Sequence, residues 1–153
     1  MNPARLRWAE VDLGALAHNV AHLRGRLGAA TGMIAVIKAD AYGHGSVPVA
    51  RTALQAGAEW LAVATTEEAA EVQAAGVGAP ILVLGPVGPG DEGHAVDGGA
   101  RLSVHEAGGL ERLSRAAAAA GQRPRVHLKV DTGMGRLGCS PDEAVLLARR
   151  LQE

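Results

Sequence analysis

Lysine is nearly missing from this chain: of 15 cationic residues thirteen are arginine, which leaves Lys38 and Lys129. Cysteine occurs once, at Cys139, and tyrosine once, at Tyr42. A lone cysteine excludes an intramolecular disulfide, and Met1-Asn2-Pro3-Ala4-Arg5 leads into no apolar export segment, so the expected setting is a reducing cytoplasm. Long apolar runs are lacking too. Met33–Ile37 and Ala116–Ala120 fall far short of the roughly 20 residues a membrane span requires. Charge of one sign is not in excess. With a net charge of −1 and both signs interspersed, there is no basic stripe for nucleic acid and no polybasic segment for a membrane.

What remains is 153 residues, 48% hydrophobic and 20% charged, the make-up of a globular domain with a real core. Short apolar runs alternate with helical patterns. Trp8–Asp12 reads as a leading strand, and Asp12 as the N-cap of a helix carrying Leu13, Leu16, Val20 and Leu23 at helical spacing. Strands are expected at Ile34–Ile37, Leu61–Ala64, Ile81–Leu84, Arg101–Val104 and Val126–Val130. Helices are expected near Val47–Ala56, from Thr66 to about Ala75, through Leu110 and Leu113 to Ala120, and from Pro141 onward. Thr65 with Glu68, Ser103 with Glu106, and Ser140 with Glu143 each have capping-box spacing. Gly57, Gly76 and Gly121 fall where helices should stop.

This order, with short links, implies a parallel sheet with right-handed crossovers, either an open doubly wound sheet or the first part of a barrel. Gly85-Pro86-Val87-Gly88-Pro89-Gly90 could be taken for a phosphate cradle, but its prolines remove donors and a structural turn fits better.

Both lysines stand near the end of an apolar run. Parallel α/β barrels place their active sites at the carboxyl ends of strands. Guanidinium stays protonated, whereas a desolvated ammonium can become a neutral amine, so the two lysines are the candidates for amine chemistry. The flanking segments are Lys38-Ala39-Asp40-Ala41-Tyr42-Gly43-His44-Gly45 and Asp131-Thr132-Gly133-Met134-Gly135-Arg136-Leu137-Gly138. Gly133, Gly135 and Gly138 also match the dinucleotide fingerprint G-x-G-x-x-G. That match is weak, because Asp131 and Thr132 intervene before the first glycine and the helix begins only at Pro141.

The two segments, in this order and with Trp8-Ala9-Glu10-Val11-Asp12 ahead of them, closely resemble the alanine racemases, pyridoxal-phosphate enzymes of the barrel type. Related barrel decarboxylases and pyridoxal-phosphate homeostasis proteins share a lysine on the first barrel strand; the Asp-Ala-Tyr-Gly-His-Gly continuation resembles the racemases. The resemblance implies an α/β fold, the N-terminal part of a TIM-type (β/α)8 barrel of about five parallel strands. Residues 1–12 would form a leading strand and 13–153 the barrel units.

It further implies that Lys38 forms the Schiff base with pyridoxal 5'-phosphate and moves the α-proton on one substrate face. Tyr42 would bind the cofactor phosphate, and Arg136 the cofactor's phenolic oxygen and the substrate carboxylate. Lys129 would be carbamylated and pair with Arg136, or else form an ordinary Lys–Asp pair. Asp40 and His44 would orient their loop. Alanine would be the substrate, D-alanine for peptidoglycan the product, and a homodimer the full-length form. The rest of the barrel, the C-terminal β domain and the second base, a tyrosine given by the partner subunit, would lie outside this chain. The chain alone is therefore expected to be inactive or nearly so as a racemase, and a non-catalytic cofactor-binding or scaffold protein is the alternative.

Overall fold

The structure is a computed structural model that describes residues 7–152. Five strands, β1 (Ile34–Val36), β2 (Trp60–Val63), β3 (Ile81–Val83), β4 (Arg101–Val104) and β5 (Val126–Leu128), form one sheet. All are parallel and lie in the order β1-β2-β3-β4-β5. A doubly wound sheet reverses its strand order at a switch point. Here every crossover advances to the next strand in one direction, which is the winding of a barrel.

The helices are α1 (Leu13–Gly25), α2 (Lys38–Gly43), α3 (Ser46–Gln55), α4 (Thr66–Ala74), α5 (Glu92–Asp97), α6 (Ala107–Ala120) and α7 (Pro141–Arg150). Right-handed crossovers put the connecting helices on one side of the sheet. The strand face toward them, with Leu61, Val63, Ile81, Val83, Leu102 and Val104, is buried throughout, and it packs with Val49, Val72, Val96, Leu113 and Leu147 into one core. On the other face Ile34 and Val36 of β1 are 44% and 42% exposed, as expected where a sheet has not closed into a barrel. That face also carries the Arg101 guanidinium 4.1 Å over the Trp60 ring, with His127 edge-on to the same ring. No described helix is long and apolar enough to cross a membrane.

Local chemistry sets several boundaries. Asp12 caps α1 by accepting from the Ala15 N–H, and Ser140 and Glu143 form a complete capping box with Pro141 in the first turn of α7. Gly121 ends α6 in the left-handed conformation. Other expectations need correcting. Residues 7–12 form no strand, since no sheet partner lies beside them among the described residues; the rest of the leading segment, 1–6, lies outside the described residues. Ser103 caps nothing: it lies within β4 and its buried hydroxyl donates to the Val83 carbonyl at 2.6 Å, while α6 starts after Glu106. The Gly/Pro-rich link ends in the short helix α5, too brief for a periodic pattern to show. β5 stops at Leu128, and Val130 makes an isolated bridge to Cys139.

Two substitutions test this account of stability. Leu102→Ala, in a fully buried position on β4, is expected to cost about 2–5 kcal/mol. Ser140→Ala is expected to cost about 1 kcal/mol through loss of the α7 cap. Urea unfolding measures both; equal costs would contradict the placement of the core.

Candidate functional site

All five strands being parallel, their carboxyl ends share one edge, and both lysines lie there. Lys38 follows β1 directly. The Ile37 N–H continues the ladder by donating to Ala62 O, and Ile37 is 1% exposed, so the backbone is anchored up to the residue before the lysine.

Immediately beyond, the chain turns left-handed. Ala39, Asp40, Ala41 and Tyr42 have φ between 50° and 56°, and Gly43 and Gly45 are also at positive φ. The left-handed form costs an L-residue roughly 1–2 kcal/mol, and runs of it are rare. A set of hydrogen bonds offsets that cost. The Ala41 N–H donates to Ile37 O and the Gly45 N–H to Asp40 O, both at 2.9 Å. Asp40 Oδ1 accepts the Ser46 N–H at the start of α3. His44 Nδ1 lies 2.9 Å from Ala41 O and 3.1 Å from Tyr42 O; two carbonyl neighbours assign the ring proton to that nitrogen. Asp40 and His44 thus hold the loop, in keeping with the orienting role expected of them. Ala39, where the left-handed turn begins, gives its N–H to Glu68 Oε1 at 2.8 Å. Sequence spacing had suggested Glu68 only as a capping residue of α4; its contact with the loop joins positions 29 apart, which local patterns do not report.

The turn brings Tyr42 beside Lys38. Lys38 Nζ is 5.9 Å from the centroid of the Tyr42 ring, and the tyrosine is 59% exposed. No described carboxylate pairs with Lys38.

Lys129 follows β5 at the far edge of the sheet. Its N–H donates to Val104 O, and its Nζ reaches past β4 to Leu84 O at 3.1 Å, inward along the carboxyl edge. The Lys–Asp pair considered from the sequence does not form. Asp131 turns instead to its own loop, where the N–H groups of Gly133, Gly135, Met134 and Arg136 hold its carboxyl below the ordinary aspartate range. The dinucleotide reading is weakened further, since the Gly133 N–H serves Asp131 and α7 carries its own cap. Gly138 closes the loop at φ 142°, with its α-carbon so near the backbone of Val130 and Asp131 that a Cβ would collide. Arg136 stands exposed on this loop with no acidic partner among the described residues. Lys38 and Tyr42 are therefore brought together at one end of the edge, and Lys129 and Arg136 follow β5 at the other.

The donor set fits pyridoxal phosphate. A primary amine stands at the end of an apolar strand beside a phenol, and an arginine lies on the same edge for oxyanions, neither with an acid partner among the described residues.

Comparison with known proteins identifies the family. The profile of "Alanine racemase, N-terminal domain" matches residues 11–153. The chain is 48% identical over 136 residues to the alanine racemase of Desulforamulus reducens, covering 89% of the chain and 37% of that protein. With the alanine racemase of Geobacillus stearothermophilus it shares 50% over 137 residues, covering 89% of the chain and 35% of that protein. Among solved structures, alanine racemase from Clostridium difficile 630 superposes with a TM-score of 0.90 at 33% identity, over 95% of this chain and 39% of that one. The enzyme from a D-cycloserine-producing Streptomyces lavendulae gives 0.82 at 43%, over 93% and 38%. The chain thus spans well under half the length of these relatives.

The Asp131 loop yields a pH prediction. Its folded pKa lies below the unfolded value, so its stabilising contribution is complete above about pH 4 and is lost as pH falls through the lower folded value. The amide signals of Gly133 to Arg136 should shift together in that acid range, and Asp131→Asn should abolish the common titration. Independent titrations, or none, would contradict the loop geometry.

Proposed function

The chain belongs to the alanine racemase family through its N-terminal domain, and from that premise we propose that it is the cofactor-holding part of an amino-acid racemase acting on alanine. The observation that carries the reading is Lys38, an amine with no acid partner among the described residues, set directly before a braced left-handed turn that brings Tyr42 beside it at the carboxyl edge of the sheet. The proposed domain is 13–153, the barrel units, with 1–12 leading into it.

In this reading Lys38 Nζ would hold pyridoxal phosphate by its aldehyde and, once displaced there by the amino group of the substrate, would take or return the α-proton on one face of the amino acid. Pyridoxal phosphate, when bound, supplies the electron sink that makes the α-proton removable. Tyr42 binds the phosphate through its hydroxyl. Arg136, whose planar fork suits oxyanions, binds the cofactor's phenolic oxygen and the substrate carboxylate. Lys129, carbamylated, becomes an anion that pairs with Arg136.

Racemisation needs a proton delivered from each face. The single tyrosine, Tyr42, is already engaged with phosphate in this reading, so the second base comes from outside these 153 residues, from a partner subunit of a homodimer. The isolated chain is then inactive or nearly so. The same observation favours a second reading, a non-catalytic pyridoxal-phosphate-binding scaffold. A cytoplasmic role in supplying D-alanine for peptidoglycan completes the proposal.

Incubation with pyridoxal phosphate, borohydride reduction and peptide mapping test it. A pyridoxyl group on Lys38 in the wild-type chain, lost in Lys38→Arg, is the expected result. A label confined to Lys129 or the amino terminus would overturn the reading. Turnover of alanine by the isolated chain at roughly 1 s⁻¹ or more would overturn the need for an external base.

A further inference from the structure

We infer that Glu68 is a positioning residue for Lys38, fixing the backbone on which that amine is carried; this rests on the reading of Lys38 as the aldehyde-binding amine. Two helices offer a comparison within the molecule. Thr65-x-x-Glu68 and Ser140-x-x-Glu143 have the same spacing, and in both the hydroxyl accepts the N–H of the glutamate, at 3.3 Å in each. In α7 the box is closed, because the Glu143 carboxylate accepts the Ser140 N–H and its hydroxyl. In α4 it is open. The Glu68 carboxylate is directed away from its own cap, to Ala64 N–H at 2.7 Å through Oε2 and to Ala39 N–H at 2.8 Å through Oε1.

The two N–H groups are the ones this region most needs to satisfy. Ala64 is the first residue after β2. Ala39 opens the left-handed turn, and like the first residues of any helix it has no acceptor within that turn; the first internal bond is from Ala41 to Ile37. The Ala39 N–H belongs to the peptide that contains the Lys38 carbonyl. Holding it fixes the plane of that peptide and with it the direction in which Lys38 leaves the sheet. One carboxylate therefore ties the end of β2 to the start of the turn, a charge-assisted pair of bonds that no neutral side chain reproduces. Glutamine keeps the shape but offers one acceptor oxygen, so one of the two N–H groups must face an amide NH₂. An amine that binds an aldehyde and moves a proton depends on sub-ångström placement, so loosening this peptide should act on Lys38 before it acts on the fold.

The test combines amide hydrogen exchange on the cofactor-free chain with the rate of borohydride-trapped pyridoxyl labelling at Lys38. In wild type the Ala39 and Ala64 amides should be protected although Ala39 is exposed. In Glu68→Gln one or both should exchange roughly tenfold faster or more, with α6 amides unchanged, and Lys38 labelling should slow by a similar factor. Thr65→Ala, which strips the α4 cap and leaves the carboxylate, should speed exchange within α4 and leave Ala39 and Lys38 labelling as in wild type. Glu68→Asp, charged but one methylene shorter, should fall between wild type and Glu68→Gln. An Ala39 amide that exchanges in wild type as in an unfolded peptide overturns the inference without any variant. Normal labelling in Glu68→Gln overturns the positioning role alone. A wild-type chain that takes no pyridoxyl group on Lys38 overturns the reading of Lys38, and the positioning role with it.

Discussion

The parallel ladder is the constraint from which the rest of this molecule follows. Because every strand runs the same way and each crossover moves on to the next strand, five carboxyl ends are delivered to one edge. The helices cover one face, and the loops that leave the edge carry all the candidate chemistry. The ladder reaches into those loops: Ile37 N–H to Ala62 O in front of Lys38, and Lys129 N–H to Val104 O on Lys129 itself. Each lysine is thereby held by the core at its backbone while its side chain remains on the open edge.

Against this regular frame the turn after β1 is a deliberate departure. Four consecutive non-glycine residues in the left-handed region would not persist on local preference. They persist because Asp40, His44 and Glu68 surround them with hydrogen bonds and because the small Ala41 is buried against the core. Strain overdetermined by its surroundings is a feature of functional sites, and here it sits between the amine of Lys38 and the phenol of Tyr42. The loop after β5 achieves order differently, by folding its own N–H groups around Asp131 and leaving Arg136 outside.

Much of this was legible in the residues. Apolar runs bounded by caps and glycines located all five strands within about one or two residues, helped in β2, β3 and β4 by the burial of almost every residue, which leaves a dense apolar signature. The two lysines at strand ends point to the same edge. What escaped was long-range or irregular. The handedness of Ala39–Tyr42 is written in no propensity, since alanine and tyrosine do not favour it. Ser103 looked like a cap because spacing alone cannot tell a strand serine bonded to Val83 from a helix start. Trp8–Asp12 has strand-like composition, but a strand requires a neighbour, and none lies beside residues 7–12 among the described residues. Glu68 was assigned to its own helix by a local motif, while its partner lay on a different loop.

The most direct test of the account is a crystal structure of the chain with pyridoxal phosphate. It predicts density continuous with Lys38 Nζ, the phosphate end beside the Tyr42 hydroxyl, and residues 39–42 still at positive φ with Glu68 on the Ala39 N–H. Cofactor held elsewhere, or a right-handed turn after Lys38, would contradict it.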